Sequence, residues 1–292
     1  MAETIKRDGA ADPGTLFLCG TPIGNLEDMT YRAVRVLGEV PLIAAEDTRR
    51  TRKLLAHFDL HTRLVSYHEH NKAAKGPHLI EWLLAGNDLA CVSDAGLPGV
   101  ADPGGVLAAE AVAAGIRVVP IPGANAALSA LIASGLDTAR FSFVGFLPRT
   151  REKRRACLAE LAPRRETLIF YEAPHHLADT LADVLDGLGD RPAVLARELT
   201  KKFEEFRRGT LASLHTAYRE EEPRGEFVLV VAGASEAESP AASETPPDAV
   251  GLVRALAEGG LGKKEAMREA AKRLGLSRRD VYRAVLAAEE GE

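Results

Sequence analysis

Short apolar segments alternate with helical segments along the first 121 residues of the chain. The predicted strands cover 15–19, 42–45, 64–67, 88–92 and 117–121, and the predicted helices cover 29–38, 48–58, 77–85 and 106–114. Successive strands joined by helices pair in parallel, so this order predicts a mainly parallel sheet with helices on both faces. The fold class is therefore α/β.

A second α/β region follows a turn at 135–140. Its predicted strands are 141–146, 167–171, 193–197 and 227–231, with an edge strand at 204–209 and helices at 151–162, 174–185 and 211–221. A chain of 292 residues is longer than one typical domain. We therefore expect a loose arm at 1–14 and then two consecutive α/β domains, at 15–122 and 123–233.

Two further segments complete the predicted organisation. Residues 234–248 contain four acids, three prolines and no basic residue, which is typical of a flexible linker. Residues 249–292 predict three short helices, and the stretch 262–283 carries eight Lys or Arg against three acids. We expect a small basic helical tail after the acidic linker.

Several function classes lack the motifs they require. The chain has no Walker phosphate loop, no Gly-x-Gly-x-x-Gly and no Gly-x-Ser-x-Gly, so nucleotide triphosphate, dinucleotide and serine hydrolase sites have no support. His68 and His70 are too close in sequence to be two helical metal ligands, and no metal is expected. A net charge of -5 argues against a protein that coats nucleic acid with a uniformly basic surface.

The three cysteines bear on the cellular compartment. Cys19, Cys91 and Cys157 are widely spaced and form no Cys-x-x-Cys pair, so they are expected to be reduced thiols. The sequence shows no secretory signal and no run of about 20 apolar residues. We expect a cytoplasmic protein without a membrane anchor.

Three turns rich in small residues, at 20–25, 93–105 and 122–126, each follow a predicted strand. Any one of them alone is as readily a structural connection as a site. In a parallel sheet, however, the ends of the strands place all three turns along one rim. Together they predict a pocket with backbone donors and acceptors plus Asp94 and Asp102, which suits an uncharged or cationic ligand better than a polyphosphate.

Six motifs, in order, resemble one known family. They are GTPIGN (20–25), AEDTR (45–49), YHEHN (67–71), SDAGLP with DPG (93–98 and 102–104), GFLP (145–148) and YEAP (171–174). In these motifs the chain closely resembles the ribosomal RNA small-subunit methyltransferase I family, the cytidine 2′-O-methyltransferase branch of the tetrapyrrole methylase superfamily. The resemblance implies a homodimer that binds S-adenosylmethionine in a cleft between two α/β domains. It also implies methylation of the ribose of a decoding-region cytidine in 16S rRNA.

Matching the motifs position by position implies a cofactor site built from both domains. The implied contacts are Pro22, Ser93, Asp94, Ala95, Gly96, Gly123, Ala124, Tyr171 and Glu172. A sulfonium cation suits the anionic turns described above. One departure from the family is His176, where an arginine is often found, and another is the long acidic linker.

A positioned base would make the ribose 2′-hydroxyl a better nucleophile. The candidates are Asp47, Glu46, His68, Glu172 and Lys201. Structural roles explain several of them equally well: Asp47 could cap the helix that follows it, and Glu46 and Lys201 could form salt bridges. The sequence alone does not choose among them.

Basic residues cluster despite the acidic total charge. The candidate RNA contacts are Arg49, Arg50, Lys53, Arg149, Arg154, Arg155, Lys263, Arg278 and Arg279. A charge run is usually a solvated helix face, but several clusters with few interleaved acids favour phosphate contacts.

Two alternative functions remain open. A tetrapyrrole C-methyltransferase of the same fold would not need the basic clusters, the YHEHN motif or the tail. A non-catalytic ribosome- or RNA-binding factor would not need a glycine-lined pocket. Binding of S-adenosylmethionine separates the second alternative from an enzyme.

Overall fold

The structure is a computed structural model that describes residues 12–219, 223–235, 249–274 and 277–290. The chain divides into two compact units, Met1–Gly233 and Ala234–Glu292. Most of the predicted arm and all but two residues of the predicted linker lie outside the described residues. The domain boundary expected at residue 122, within the first unit, stays a prediction.

The first sheet has five parallel strands in the order β3-β2-β4-β1-β5. They are β1 (Thr15–Cys19), β2 (Ile43–Ala45), β3 (Leu64–Ser66), β4 (Leu89–Val92) and β5 (Arg117–Ile121), connected by α1 (Tyr31–Glu39), α2 (Thr48–His57), α3 (Lys72–Leu84) and α4 (Gly104–Ala113). Successive residues of β4 enter two different apolar clusters, with Leu89 and Cys91 in one and Ala90 and Val92 in the other. Both faces of the sheet are therefore buried, and the predicted parallel α/β sheet is confirmed.

Helix α3 begins earlier than predicted, at Lys72 instead of residue 77. The carbonyl oxygen of Asn71 accepts the N–H of Lys75 at 2.9 Å, which closes the first turn well before Pro77. Pro77 is thus inside the helix, where its missing N–H removes one helical hydrogen bond. The prediction of a helix start at this proline was wrong, because backbone hydrogen bonds form the first helical turn before Pro77.

The second sheet has the order β6-β7-β10-β8-β9, with β6 and β7 parallel and every other pair antiparallel. Its strands are β6 (Phe141–Phe146), β7 (Thr167–Glu172), β8 (Pro192–Arg197), β9 (Glu205–Thr210) and β10 (Phe227–Val231). The predicted edge strand is confirmed as β9. The last strand, β10, is central, and its register pairs Phe227 with Glu172 on one side and Arg197 on the other.

Helices cover both faces of this sheet. They are α5 (Ala126–Ser134), α6 (Arg151–Leu161), α7 (Leu177–Leu188) and α8 (Leu211–Arg219). Leu131 of α5 packs with Ile169 and Val230 in one apolar cluster, while Leu158, Leu181 and Leu214 of the other helices pack in another. A single turn of 3-10 helix precedes α7, which begins at Leu177, three residues after the predicted start.

The second unit contains the three predicted tail helices, α9 (Ala249–Glu258), α10 (Lys263–Leu274) and α11 (Arg278–Glu290). Their shared core consists of small and branched side chains: Val253, Ala266, Ala270, Ala271, Val281 and Val285. Alanines on α10 let the three helices approach closely. In the part of the chain that the structure describes, no helix is long and apolar enough to cross a membrane.

Candidate active site

The three turns rich in small residues meet at the ends of the first-sheet strands. Thr21 and Gly96 exchange two backbone hydrogen bonds, of 2.9 and 3.1 Å. A Cβ atom on Gly20 would lie 2.8 Å from the Cα of Gly123, so these two turns touch backbone to backbone and only glycine fits. The prediction that the turns share one rim is confirmed.

A cleft of about 510 Å³ lies between this rim and the second sheet. Its first-sheet rim contributes Ile23, Glu46, Arg50, Ser93, Asp94, Ala95, Gly96, Leu97, Val100, Ala101, Asp102, Asn125 and Ala126. The second-sheet side contributes Phe146, Tyr171, Glu172, Ala173, Pro174, Leu199, Glu226, Phe227 and Val228. A cleft of this volume matches the range of small-molecule and cofactor sites.

The charge of the cleft is strongly negative. Five of its lining residues are acidic, and Arg50 is the single cation among the described residues that line it. The acids are Glu46, Asp94, Asp102, Glu172 and Glu226. A low-dielectric cleft with this lining attracts a cationic ligand.

Glu46 and Asp94 connect two neighbouring strand ends. Oε2 of Glu46 accepts the backbone N–H of Asp94 at 3.1 Å, and Oδ1 of Asp94 accepts the N–H of Asp47 at 3.0 Å. Burial raises the pKa of Glu46, and the nearby charges of Asp94 and Asp102 add to this rise, against the opposing hydrogen bond from Asp94. Glu46 is thus one of the carboxyl groups of the cleft whose pKa is raised.

Asp102 shapes the loop that precedes α4. Its Oδ1 accepts the N–H groups of Gly99 and Gly104, both at 2.8 Å. Burial raises the pKa of Asp102, while these backbone hydrogen bonds oppose the rise. The carboxyl group therefore orders the backbone on that side of the cleft.

Tyr171 and Glu172 form the second-sheet side of the cleft. The hydroxyl oxygen of Tyr171 accepts the N–H of Ala127 at 3.3 Å, which ties β7 to the first turn of α5. Its ring lies edge-to-face with Phe143 and Phe146, at centroid distances of 5.0 and 5.6 Å. This aromatic group offers a surface for a flat ring.

The carboxylate of Glu172 is held by hydrogen bonds at both oxygens. Oε2 accepts the hydroxyl of Thr180 at 2.6 Å, and Oε1 accepts the N–H of Ala173 at 2.7 Å. Thr180 is buried on α7, so the helix fixes the direction of the carboxylate. Glu172 is placed as an oriented acceptor for a ligand.

The residues expected to bind the cofactor fall in three places. Those at 93–96, with Tyr171 and Glu172, line the cleft. Pro22 lines a smaller neighbouring cavity. Gly123 packs against Gly20, and the carbonyl oxygen of Ala124 approaches Gly96, so this pair supports the wall, whereas the next two residues, Asn125 and Ala126, line it.

Two of the catalytic candidates have structural roles. Asp47 caps α2 by accepting the N–H of Arg49 at 2.8 Å, and its other oxygen lies 2.9 Å from the guanidinium of the same residue. Hydrogen bonds from Arg49 lower the pKa of Asp47 to about 2, which makes it a weak base. Lys201 forms ion pairs with Glu198 at 2.8 Å and Glu226 at 3.0 Å. These pairs raise the pKa of Lys201 despite its partial burial, so it remains a cation.

His68 follows β3 and is not among the described residues that line the cleft. Its backbone N–H donates to Oδ1 of Asn71 at 2.8 Å, and its ring contacts that of His70 at 6.0 Å between centroids. His68 therefore lies at the end of a first-sheet strand, outside the lining of the cleft. Within the described ranges, no cluster of three His, Cys, Asp or Glu could hold a metal ion.

The second-sheet wall contains residues that the sequence did not single out. Phe146 belongs to the GFLP motif, so a signal for it was present. Glu226, Phe227 and Val228 carry no motif, and they reach the cleft because β10 is inserted between β7 and β8. Only the long-range pairing of strands could show this.

The basic candidates differ in exposure. Lys53, Arg149, Lys263, Arg278 and Arg279 are exposed. Arg49 is 84% exposed although it pairs with Asp47, and Arg50 lines the cleft with a 3.4 Å contact to Asp94. These side chains remain available to a ligand from solvent.

The structure corrects the expectation for Arg154. Its side chain is 11% exposed, and its guanidinium lies 2.7 Å from the buried carboxylate of Asp183. It also donates to the carbonyl oxygens of Pro148 and Arg149. Arg154 is therefore a structural ion-pair partner and not an RNA contact, whereas the neighbouring Arg155 is 53% exposed.

Known proteins share this architecture. A family model described as Tetrapyrrole (Corrin/Porphyrin) Methylases matches residues 15–215. The chain belongs to this family. It is 52% identical over 275 residues to ribosomal RNA small subunit methyltransferase I of Halalkalibacterium halodurans, covering 93% of this chain and 94% of that protein. It is 47% identical over 284 residues to the Bacillus subtilis protein of the same name, covering 97% of both.

A solved structure shares the fold. Uroporphyrin-III C-methyltransferase from Thermus thermophilus, complexed with S-adenosyl homocysteine, superposes with a TM-score of 0.52 at 20% identity, covering 74% of this chain and 97% of that one. These comparisons confirm the predicted resemblance. The chain resembles the tetrapyrrole methylases in fold and the small-subunit methyltransferase I relatives in sequence.

Proposed function

We propose that the protein is an S-adenosylmethionine-dependent methyltransferase that modifies the ribose 2′-hydroxyl of a decoding-region cytidine in 16S rRNA. The observation that carries this proposal is the cleft of about 510 Å³ with five carboxylates and one guanidinium among its described lining residues. The names of its close relatives support an rRNA substrate. We further propose that the substrate RNA is bound within the small ribosomal subunit.

The cleft residues suit the cofactor. S-adenosylmethionine supplies an electrophilic methyl group on a positively charged sulfur. The acidic lining favours that charge, and the backbone at 93–96 can hydrogen-bond the polar groups of an adenosine. Phe146, which is 60% exposed, and Tyr171 can pack against the adenine ring.

The chain contributes to methyl transfer by aligning the reacting groups and by supplying a base. Holding the ribose oxygen in line with the methyl group gives an effective molarity that can reach about 10⁵ M or more. We favour Glu46 as the base, because it lines the cleft and burial raises its pKa. Burial also raises the pKa of Asp102, but that carboxyl group accepts the N–H groups of Gly99 and Gly104 and orders the backbone. A positioned base contributes about 10²- to 10⁴-fold. Asp47, Lys201 and His68 are less suited, for the reasons of pairing and position given above.

RNA contacts are proposed for the exposed basic side chains of both units. In the first unit these are Arg49, Arg50, Lys53, Arg149 and Arg155, and in the second they are Lys263, Arg278 and Arg279. Phosphate contacts of this kind give salt-dependent affinity without sequence preference. Recognition of one nucleotide then depends on the site itself.

A homodimer is proposed as the assembled form. The edge strand β6 exposes Phe141 and Phe143, and α5 exposes Leu128 and Ile132. Isolated apolar side chains are common on surfaces, but several on an edge strand and on a helix packed against the same sheet favour contact with another subunit. Sedimentation velocity tests this: Ile132→Asp, at a 76% exposed position, should yield monomers. A wild-type protein that sediments as a monomer would reject the dimer.

The reaction can be tested by incubating the protein with labelled S-adenosylmethionine and unmodified small subunits. The rRNA is then digested and analysed by mass spectrometry. One methyl group on the ribose of a cytidine is the expected product. Transfer to a base, or none to RNA, would reject the proposal. Methylation of a tetrapyrrole in a parallel assay would favour the C-methyltransferase alternative, and failure to bind the cofactor would favour a non-catalytic binding factor.

A further inference from the structure

A second, smaller cavity of about 170 Å³ opens beside the cleft. It is lined by Thr21, Pro22, Gly24, Leu26, Arg50, Thr51, Leu54, Ser93 and Asp94. Arg50, Ser93 and Asp94 also line the cleft, so the two spaces adjoin at these three residues. A ligand in one space would therefore lie next to a ligand in the other.

The walls of the smaller cavity are fixed by contacts behind them. The hydroxyl of Thr21 donates to the carbonyl oxygen of Ser93 at 3.2 Å, and that of Thr51 donates to the carbonyl oxygen of Asp47 at 3.1 Å. A Cβ atom on Gly24 would lie 2.5 Å from Cγ of Lys201, so the lysine stem packs directly against this glycine. Ion pairs with Glu198 and Glu226 hold that lysine in place. The cavity is thus preformed.

The lining of this cavity differs in chemistry from that of the cleft. Among the described lining residues, Asp94 is the single acid, and the positive charge of Arg50 balances its negative charge. Leu26 and Leu54 add apolar surface. The guanidinium of Arg50 is 68% exposed and lies 3.4 Å from Asp94, a loose pair that a phosphate can compete for. The cavity therefore suits a sugar or pyrimidine ring that carries a phosphate, whereas the cleft suits a cation.

We propose that the smaller cavity, here called the acceptor cavity, receives the nucleotide to be methylated, with Arg50 on its flanking phosphate. This inference rests on the proposed RNA methyltransferase function and assigns Pro22, Leu26 and Leu54 to the acceptor and not to the cofactor. Across the boundary at Asp94, the 2′-oxygen forms a bond to the methyl carbon while the carbon–sulfur bond breaks and its electron pair stays on sulfur. The hydroxyl proton passes to the carboxylate of Glu46, and the uncharged thioether product remains in the cleft.

Filling the acceptor cavity tests this assignment. Leu54→Trp and Leu26→Trp each place a large ring in it, and Leu26 is 41% exposed, so the second change does not depend on a tightly packed core. We expect each to lower kcat/KM for the RNA substrate on the order of tenfold or more, through KM for the RNA, while the Kd for S-adenosylmethionine measured by calorimetry stays within about twofold. Val112→Trp, at a 65% exposed position on α4, is the matched control and should behave as wild type.

The outcomes separate this inference from the proposed function. If wild-type enzyme methylates RNA and both filled variants retain its KM and kcat, the acceptor cavity is rejected and the function stands. Equal loss of cofactor binding in Leu26→Trp and Leu54→Trp also rejects it, since the cavity would then belong to the cofactor. Failure of the wild-type enzyme to methylate RNA rejects the function itself.

Discussion

Glu46 accepts the backbone N–H of Asp94 at 3.1 Å through its Oε2 atom. Asp94 in turn accepts the N–H of Asp47, the residue that follows Glu46. This exchange connects the ends of β2 and β4, which are neighbours in the sheet. It holds one carboxyl group of raised pKa beside a second acid where the cleft and the acceptor cavity meet.

Replacing Glu46 should slow methyl transfer without removing the cofactor. Glu46→Gln keeps an oxygen that can accept the N–H of Asp94 but loses the base. We expect the single-turnover rate to fall about 10²- to 10⁴-fold, and cofactor affinity to fall far less, because four other acids still line the cleft. A rate equal to that of wild type would exclude Glu46 as the base.

The same carboxyl group predicts a pH dependence. Because the folded-state pKa of Glu46 is raised, the group is protonated, and unable to accept the ribose proton, up to a pH above its ordinary value. The methyl-transfer rate should therefore rise as the pH increases through this raised pKa. In Glu46→Gln, the single-turnover rate should not rise with pH in this range. If the rise persists in the variant, another titrating group causes it.

Phe146 should contribute to cofactor affinity through its exposed ring. Base–aromatic stacking is worth about 1–3 kcal/mol, so Phe146→Ala should weaken S-adenosylmethionine binding by about 5- to 150-fold. Phe203 is also exposed, at 68%, but it is not among the residues that line the cleft. Phe203→Ala is the matched control and should leave the calorimetric Kd unchanged. Equal weakening in both variants would contradict the assignment of Phe146.

Arg154 should matter for stability. Burial alone would raise the pKa of Asp183, but hydrogen bonds from Arg154 and Arg151 outweigh it and lower the pKa. Leaving a buried carboxylate unpaired costs about 3–5 kcal/mol, and since Arg151 and Arg155 remain beside Asp183, Arg154→Ala should lower the free energy of unfolding by up to this amount. Arg155 is half-exposed and approaches Asp183 only at 3.5 Å, so Arg155→Ala should cost about 1 kcal/mol or less.

Urea denaturation of both variants measures this difference. Because the folded-state pKa of Asp183 is lowered, its stabilising contribution is present above the ordinary pKa and is lost as the pH falls through the folded value. The stability gap between wild type and Arg154→Ala should therefore narrow in acid. Similar midpoints for Arg154→Ala and Arg155→Ala at neutral pH would refute the structural role of Arg154.

The tail arginines should contribute to RNA affinity through phosphate contacts. Arg278→Gln combined with Arg279→Gln should lower the magnitude of the slope of log K against log salt concentration by about 1.4, at about 0.7 for each contact with single-stranded RNA. Cofactor affinity should stay the same, because the described residues that line the cleft belong to the first unit. An unchanged salt slope would remove the tail from the RNA contacts.

The turns and the helix caps were readable from local sequence. Asp47 is followed by a helix, and it caps that helix as its residue type favours. The turns at 20–25 and 122–126 were predicted to share one rim, and Gly20 and Gly123 touch there. Turns and helix caps could be predicted because each depends on a few residues that are neighbours in the sequence. The burial of Arg154 could not be predicted in this way, since its partner Asp183 is 29 residues away.

The order of strands, turns and helices in the sequence was enough to predict the parallel sheet, the shared rim of three turns and an anionic site, because hydrophobic period and turn residues act locally. The tertiary structure decided which side chains face one another. Insertion of β10 between β7 and β8 brings Glu226 to the cleft, and the packing of Lys201 against Gly24 supports the wall of a separate acceptor cavity. These relationships join residues far apart in the chain, and no local pattern encodes the distance between them.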